Sequence, residues 1–172
     1  METLDSMIEK IRATERALFI LCGLPYSGKT HVSDRLHTKT GIHVVRIDDI
    51  LRKRCFDWNT NKLPNEAEWR GIFEESCQAT KNILERSENV LYDSTNHTLA
   101  SREKLRELAK QSGAETAVIF VNTPKHIIWE RWEKNKESTT RSIVAKDLVE
   151  MTIDTFDPPT QDEHVITISG VQ

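Results

Sequence analysis

The fold is decided by the stretch ALFILCGLPYSGKT, which spans residues 17–30. Its first six residues are all apolar and predict a strand that is buried on both faces of a sheet. Residues 23–30 match the pattern G-x-x-x-x-G-K-[ST], and the residues that follow predict a helix from Lys29 to Thr40, ended by Gly41. A glycine-rich loop that joins a buried strand to a helix is typical of sites that bind the phosphates of nucleotides.

Each residue type in this loop suits phosphate binding. Gly23 and Gly28 allow backbone geometry that a side chain would hinder, so the loop amides can point at phosphate oxygens. Lys29 can reach the β- and γ-phosphates, and the hydroxyl of Thr30 can bind Mg²⁺. We therefore predict that the loop binds ATP together with Mg²⁺. The residues assigned to this site are Gly23, Leu24, Pro25, Tyr26, Ser27, Gly28, Lys29 and Thr30.

Short apolar runs alternate with longer amphipathic ones along the chain, a pattern typical of a parallel sheet covered on both faces by helices. The predicted strands are residues 17–22, 43–47, 89–93, 116–121 and 164–168, and the predicted helices are residues 4–13, 29–40, 65–87, 98–112, 125–136 and 143–155. We therefore expect a three-layer α/β/α fold with a five-stranded parallel sheet, and ligands at the carboxyl ends of its strands. No internal repeat or boundary is visible, so residues 1–172 are expected to form a single domain.

The composition narrows the class of protein. The 172 residues are 37% hydrophobic and 30% charged, and the net charge of −3 argues mildly against a large polyanionic partner. No apolar run approaches the roughly 18 residues that span a membrane, and the N-terminus lacks the features of a secretory signal. The three cysteines are far apart, and the six histidines show no metal-ligand spacing. We expect a cytoplasmic protein with free thiols, no membrane contact and no metal other than the Mg²⁺ of its nucleotide.

Acidic side chains follow two of the predicted strands. Asp48 and Asp49 come after the second strand, and Asp93 ends the third. These positions lie at the edge of the sheet that carries the loop. One carboxylate there could accept the proton of an acceptor hydroxyl, and another could hold Mg²⁺ or its waters. For Asp48 and Asp49, the N-cap of a following helix is the alternative interpretation.

A missing motif narrows the class of nucleotide-binding protein. GTPases normally carry a guanine-reading N-K-x-D motif, and the nearest string in this chain, residues 61–64, reads NKLP and lacks the aspartate. Motor and transporter ATPases generally need a longer chain than this one. The length and the loop together therefore favour a small phosphotransferase.

Three further motifs accompany the loop. Residues 49–52 read DILR, a D-x-x-R element, residues 93–96 read DSTN, a D-x-T-N element, and Arg131 lies seven residues after Pro124. With the loop and these motifs, the chain resembles the small P-loop kinases over residues 19–159. That family includes the 5′-kinase domain of phage polynucleotide kinase, the zeta toxins and chloramphenicol phosphotransferase. The resemblance implies a P-loop NTPase fold with strand order 2-3-1-4-5 and transfer of the γ-phosphate of ATP·Mg²⁺ to a hydroxyl acceptor.

The resemblance also implies a catalytic set. Asp49 would be the general base on the acceptor hydroxyl, with Asp48 as the less favoured base. Arg131 would belong to a lid at about residues 125–150 and would stack on adenine or clamp the phosphates. Lys29 and Arg131 would then stabilise the charge that develops on the transferred phosphoryl group.

The remaining implied roles concern the acceptor. Arg52 would bind the acceptor side, for example a phosphate, and Asp93 would either hold Mg²⁺ with Thr30 or contact the acceptor. Arg102, nine residues after Asp93, stands where relatives often have an arginine, and a solvated helix charge is an equally good interpretation. The residues assigned to acceptor binding are Asp48, Arg52, Asp93, Thr95 and Asn96.

The chain departs from the family pattern in the lid. The phage kinase pattern has a second arginine four residues after the first, where this chain has Asn135. Lys134, Lys136 or Arg141 could replace that cation. If none does, the alternative is a nucleotide-dependent binding or regulatory module with weak ATP hydrolysis.

The acceptor is left open by the sequence. A small hydroxyl compound is favoured, and the 5′-hydroxyl end of a nucleic acid is a variant that shares the same motifs. Arg52, Lys53 and Arg54 form a basic run that either grips an anion or faces solvent. Trp58 and Trp69 flank a polar, turn-like stretch and either line an acceptor cleft or pack in the core.

Overall fold

The computed structural model describes residues 1–60, 62–138 and 142–171. The helices are α1 (Leu4–Ala13), α2 (Lys29–Thr40), α3 (Ile47–Lys53), α4 (Glu66–Glu85), α5 (Leu99–Gln111), α6 (Lys125–Ser138) and α7 (Lys146–Asp154). The strands are β1 (Ala17–Cys22), β2 (His43–Arg46), β3 (Val90–Asp93), β4 (Glu115–Asn122) and β5 (Val165–Ser169). Two turns of 3₁₀ helix cover Trp58–Thr60 and Gln161–Glu163. Arg141, named above as a candidate lid cation, lies outside the described residues.

The strands form one sheet in the order β2-β3-β1-β4-β5, and every pairing is parallel. This confirms the predicted α/β fold and strand order. β1 lies at the centre, between β3 and β4, and all six of its residues are buried. The loop that follows β1 therefore has β2 and β3 on one side and β4 and β5 on the other.

Side chains of β1 alternate between two apolar cores, as the pleat of a strand requires. Phe19 and Leu21 pack in the core that α1 and α2 cover, whereas Leu18 and Ile20 pack in the core beneath α4 and α5. Burial of each such side chain stabilises the fold by about 1.5–3 kcal/mol. The two cores thus hold the central strand, and with it the start of the glycine-rich loop, from both sides.

Helix ends follow local chemistry, which explains why the predicted helices lie within a few residues of the observed ones. α2 ends at Gly41, whose φ of +74° suits a glycine and whose amide donates to the carbonyl of His37. α4 begins with a capping box formed by Asn65 and Glu68. In the described ranges, no helix is both long and apolar enough to cross a lipid bilayer.

The sequence pattern missed α3. The second strand was predicted to run to residue 47 with the acids directly behind it, but β2 ends at Arg46 and a helix begins at Ile47. Seven residues make a helix too short for apolar periodicity to show. Asp48 and Asp49 lie in its first turn, where the helix dipole favours negative charge. The N-cap residue is Arg46, so the interpretation of either acid as the N-cap is wrong.

Candidate active site at the carboxyl edge of the sheet

The glycine-rich loop presents Lys29 at the centre of the site. The ammonium Nζ donates to the carbonyl oxygens of Gly23 at 2.9 Å and Leu24 at 2.8 Å, so the side chain folds back over the loop. Burial lowers the pKa of Lys29 to about 8, although the negative charges of Asp93 and Asp48 partly oppose this change. A polyphosphate would supply the anion that this desolvated lysine lacks.

The loop is closely packed against its neighbours. A Cβ atom on Gly23 would lie 2.8 Å from Ser27 Oγ and 2.9 Å from the carbonyl oxygen of Val121, so only glycine fits this position. Ser27 is buried, and its Oγ has no hydrogen-bond partner among the described residues. The start of the loop is therefore closely packed, and it contains a buried hydroxyl that no described residue satisfies.

The D-x-T-N segment lies beneath the loop and holds it in place. The amide of Gly23 donates to the carbonyl oxygen of Thr95 at 3.1 Å, and Asn96 Nδ2 donates to the carbonyl oxygen of Leu21 at 2.7 Å. Asn96 is buried with a φ of +44°. The structure thus places Thr95 and Asn96 against the start of the P-loop, and their proposed contact with an acceptor stays a prediction.

Arg102 supports this segment from below. Its side chain is fully buried, and Nε donates to Glu163 Oε2 at 2.6 Å while Nη1 donates to the carbonyl oxygen of Asn96 at 3.0 Å. The interpretation of Arg102 as a solvated helix charge is therefore wrong. Burial alone would raise the pKa of Glu163, but hydrogen bonds from Arg102 and from the Thr160 amide more than offset it and lower the pKa.

On the β3 side of the loop, Asp93 is held by an arginine that the sequence patterns did not single out. Arg46 Nε donates to Asp93 Oδ2 at 2.7 Å, and Nη2 donates to Ser33 Oγ at 3.0 Å and Asp34 Oδ1 at 2.7 Å. Arg46 and Asp93 lie side by side in the parallel register of β2 and β3. An arginine and an aspartate at the ends of two strands could have predicted this ion pair from the sequence. The prediction would have required knowing that β2 and β3 are neighbours in the sheet.

The two acids of α3 have different neighbours. Asp48 Oδ1 accepts a hydrogen bond from Trp58 Nε1 at 3.2 Å, and its charge is close enough to raise the pKa of Lys29. Asp49 instead pairs with Arg52 three residues along the same helix, and both side chains are exposed. The charges of Asp93 and Asp48 therefore act on the P-loop lysine, although Asp48 is exposed, whereas Asp49 pairs with Arg52.

A cavity of about 520 Å³ opens on the other side of the loop, toward β4 and β5. Arg131 of α6 crosses its wall: Nη1 donates to the carbonyl oxygen of Tyr26 at 3.1 Å, and Nη2 donates to that of Gly170 at 2.7 Å. The volume of this cavity is within the range of sites for small molecules and cofactors. The cavity is lined by Leu4, Tyr26, Gly28, His31, Val32, Arg131, Lys134, Asn135, Ser138, Ile168, Ser169 and Gly170.

Gly170, just after β5, is a site residue that the sequence did not reveal. A Cβ atom there would lie 1.8 Å from Thr123 Oγ1 and 2.3 Å from the carbonyl oxygen of Ser27. The end of β5 therefore presses directly on the P-loop, and no side chain fits between them. Leu4 and His31 were missed as well, because only the fold brings α1 and the exposed side of α2 to this cavity.

The lid departure at residue 135 has a structural explanation. Asn135 is buried, and its Nδ2 donates to the carbonyl oxygen of Ser142 at 3.3 Å. Lys136 Nζ lies 4.5 Å from the ring centre of Trp132 and 3.3 Å from Glu133 Oε2. Of the described candidates for the second lid cation, Lys134 is the one that lines the cavity with Arg131.

The segment after α6 is hydrogen-bonded to the P-loop and to the 3₁₀ turn after α3. The amide of Val144 donates to the Tyr26 hydroxyl at 3.1 Å, and Trp132 Nε1 donates to the carbonyl oxygen of Val144 at 2.9 Å. The amide of Ile143 donates to Asn59 Oδ1 at 2.7 Å. Residues 142–144 therefore link α6, the P-loop and the 3₁₀ turn that carries Trp58.

Oxygen donors suitable for Mg²⁺ lie beside Lys29. Thr30 is exposed in the first turn of α2, and among the described residues no hydrogen bond reaches Oδ1 of Asp93. Carboxylate and hydroxyl oxygens are the ligands that this hard cation prefers. The described part of the chain holds no group of three or more His, Cys, Asp or Glu side chains arranged around a common metal position.

A family model described as an AAA domain matches residues 18–159. The chain belongs to the AAA domain family. The match begins in β1 and covers the P-loop, the D-x-x-R and D-x-T-N elements and the lid helix. No curated protein matches the sequence.

Three solved structures with the same fold are compared with this AAA domain chain. A gluconokinase from Sinorhizobium meliloti is 17% identical with a TM-score of 0.64, over 91% of this chain and 84% of its own. Kti12 of Chaetomium thermophilum, in complex with ADP-AlF3, is 18% identical with a TM-score of 0.70, over 88% of both chains. A chain of the Pnkp1/Rnl/Hen1 complex is 23% identical with a TM-score of 0.58, over 67% of this chain and 39% of its own. At these identities the likeness confirms the fold of small P-loop kinases.

Proposed function

We propose that this AAA domain chain is a phosphotransferase that moves the γ-phosphate of ATP to a hydroxyl acceptor with the help of Mg²⁺. The observation that carries the proposal is the position of Lys29. A cavity of about 520 Å³ lies on the β4–β5 side of its loop, and the acids Asp48 and Asp93 lie on the β2–β3 side. A nucleotide and an acceptor could therefore approach the lysine from opposite sides.

On the nucleotide side, the base and ribose of ATP would occupy the cavity beside Arg131, with the phosphates on the loop amides. Kti12, whose fold is similar, is bound to ADP-AlF3, which supports a nucleotide at this loop. Thr30 and Asp93 would hold Mg²⁺, and the ion would supply positive charge against the charge that develops on the phosphates. Lys134 would supply the second cation of the lid in place of Asn135.

On the acceptor side, an Asp carboxylate would take the proton of the acceptor hydroxyl. The hydroxyl oxygen forms a bond to the γ-phosphorus, the bond from that phosphorus to the bridging oxygen breaks, and ADP leaves with the electron pair. Lys29 and Arg131 would stabilise the charge on the transferring group. Residues 142–144, which link α6 to the P-loop, would exclude water that otherwise hydrolyses ATP.

Two acids compete for the role of the general base. The D-x-x-R pattern of residues 49–52 supports Asp49, whereas the charge of Asp48 acts on Lys29. Asp49→Asn is expected to lower the transfer rate by about 100-fold, with ATP affinity unchanged because no carboxylate of α3 belongs to the nucleotide cavity. Single-turnover transfer and equilibrium ATP binding measure the two effects. Asp48→Asn is the matched control, and a larger loss of transfer rate in that variant would show that Asp48 is the general base.

Nucleotide affinity is expected to fall as the pH rises above 8. The pKa of Lys29 is about 8 in the free protein, and a bound polyphosphate favours the charged lysine, so binding above this pH requires uptake of a proton. If the complex keeps Lys29 charged throughout, the Kd for ATP should rise by about 25-fold between pH 7.5 and 9.5. Calorimetric titrations at several pH values measure this slope. A flat profile would show that binding takes up no proton and that Lys29 does not titrate in this range. The same slope in Lys29→Met would assign the proton to another group.

Transfer of labelled γ-phosphate decides between the proposal and a second candidate. The residue at position 135 is a buried asparagine where the family pattern has an arginine, so one cation of the lid is missing. This favours a regulatory module that binds ATP and hydrolyses it slowly. A phosphotransferase should move the label to one acceptor of a hydroxyl panel much faster than to water, and Asp49→Asn should slow that transfer by about 100-fold. Tight binding with slow hydrolysis across the panel would establish the second candidate instead.

A further inference from the structure

The first helix of the chain forms part of the wall of the cavity beside the P-loop. Leu4, the first residue of α1, is one of the residues that line this cavity. The match to the family model begins at residue 18, so α1 lies outside the matched region. The other walls come from the P-loop, α2, α6 and the end of β5. A helix that the family motifs do not describe thus takes part in the proposed nucleotide site.

The segment before α1 holds the first turn of this helix at the end of β5. The amide of Glu2 donates to the carbonyl oxygen of Thr167 at 2.8 Å, as part of a parallel bridge to β5, which is the last strand of the sheet. Thr3 then caps the helix, because its side chain accepts a hydrogen bond from the amide of Ser6 at 3.2 Å. Leu4, the next residue, is therefore held at the cavity by the bridge and by the cap.

The apolar face of α1 packs in the core that covers the central strand. Four buried side chains recur along it at helical spacing, and they belong to the cluster that also holds Val32: Leu4, Met7, Ile8 and Ile11. Of these four, Leu4 is the one that borders the cavity. Ile8 is buried to a similar degree one turn further along, so the helix offers a matched control for Leu4.

The cavity has an apolar part and a cationic part, which suits the two ends of a nucleotide. Leu4, Val32 and Ile168 line it and belong to one apolar cluster, whereas α6 contributes Arg131 and Lys134. A nucleotide base is a flat ring whose faces favour apolar contacts or the plane of a guanidinium group. Phosphates favour cations and backbone amides. The base of ATP would therefore lie against the apolar part of the cavity, in contact with Leu4.

We propose that α1 is the base-binding wall of the nucleotide site and that Leu4 packs on the base of ATP. The proposal rests on the position of ATP in the function proposed above, but not on the transfer step. Because Leu4 would contact the base and not the phosphates, α1 would strengthen the binding of a nucleotide but not of a bare polyphosphate. The effect is reciprocal, so a bound nucleotide stabilises the docked position of α1 by the same free energy.

Calorimetric titrations with ATP·Mg²⁺ and with inorganic tripolyphosphate·Mg²⁺ test the role of Leu4. Leu4→Ala is expected to raise the Kd for ATP by about 10-fold, the lower end of the effect of removing apolar groups from a binding pocket. The Kd for tripolyphosphate should stay unchanged. Ile8→Ala, which removes apolar contacts from the same cluster away from the cavity, should change neither Kd. Thermal melting sets a temperature at which each variant is folded.

Two results of these titrations would overturn the proposal. In the first, Leu4→Ala raises the Kd for ATP no more than Ile8→Ala does, so the base makes no contact with Leu4. In the second, Leu4→Ala weakens ATP and tripolyphosphate equally, so the substitution acts on the phosphate loop and not on the base.

Hydrogen exchange of the wild-type protein provides a second test that needs no variant. ATP and tripolyphosphate are compared at the same ratio of free concentration to Kd, because both then stabilise the folded chain as a whole to the same extent. The amides of α1 are expected to exchange about 10-fold more slowly with ATP than with tripolyphosphate, the same factor as in the titrations. Equal exchange of α1 with the two ligands would contradict the base-binding wall.

Failure of this proposal and failure of the phosphotransferase function give different results, because the binding measurements need no turnover. Weaker ATP binding in Leu4→Ala, together with no labelled acceptor, supports the base-binding wall and contradicts the phosphotransferase. A labelled acceptor, together with unchanged ATP binding in Leu4→Ala, supports the phosphotransferase and contradicts the base-binding wall.

Discussion

Replacement of Lys29 by methionine is expected to lower γ-phosphate transfer by about 1000-fold or more, the scale seen when a cation on the transferring phosphoryl group is removed. Lys29 is the cation at the centre of the loop, with Asp93 and Asp48 close enough to affect its pKa. Methionine keeps most of the side-chain volume but offers no charge to the phosphates. Single-turnover transfer with saturating ATP measures the loss of the chemical step.

The same variant should fold at least as stably as the wild type in the absence of nucleotide. The pKa of Lys29 is depressed from its usual 10.5 to about 8 in the folded chain, so holding the charged lysine in place opposes folding at neutral pH. This contribution fades as the pH rises from 8 to 10.5, since the unfolded chain then binds more protons than the folded chain. Thermal melting at pH 7 measures it. Transfer at the wild-type rate in a folded Lys29→Met protein would show that Lys29 takes no part in the reaction.

Replacement of Arg102 by methionine is expected to destabilise the fold by about 3–5 kcal/mol. Arg102 and Glu163 are both almost fully buried, and loss of the guanidinium leaves the Glu163 carboxylate in the interior without its ion-pair partner. The variant also frees the carbonyl of Asn96, which Arg102 Nη1 holds at 3.0 Å. Urea unfolding measures the change, and a shift of the midpoint without a change in slope would show that stability alone has fallen.

The double variant Arg102→Met with Glu163→Met is the control for this effect. Because it leaves no unpaired charge in the interior, it should recover much of the stability that the single variant loses. ATP affinity should follow the same order, since the carbonyl of Asn96 and its side chain lie beneath the loop. A loss below 1 kcal/mol in Arg102→Met, roughly the value of an exposed ion pair, would contradict the buried pair.

The elements that the sequence predicted well are those with local causes. β1 is apolar throughout because helices cover both of its faces, and the bounds of α2 follow from Gly28 and Gly41. α3 was missed because seven residues carry no readable period. The D-x-T-N element was recognised, yet the side chain of Asn96 contacts the backbone of Leu21. A motif identifies which residues matter but does not state which side of the loop they face.

The sequence was sufficient for the glycine-rich loop and the parallel α/β sheet, because glycine geometry, apolar runs and a lysine after a strand are properties of neighbouring residues. Side-chain pairing between distant segments was accessible only from the folded chain. Three contacts of this kind join residues that are far apart in the sequence: Arg46 with Asp93, Arg102 with Glu163, and Gly170 against Ser27. Such contacts depend on strand order and on burial, and burial decides whether a charge such as that of Arg102 is solvated or held in the interior.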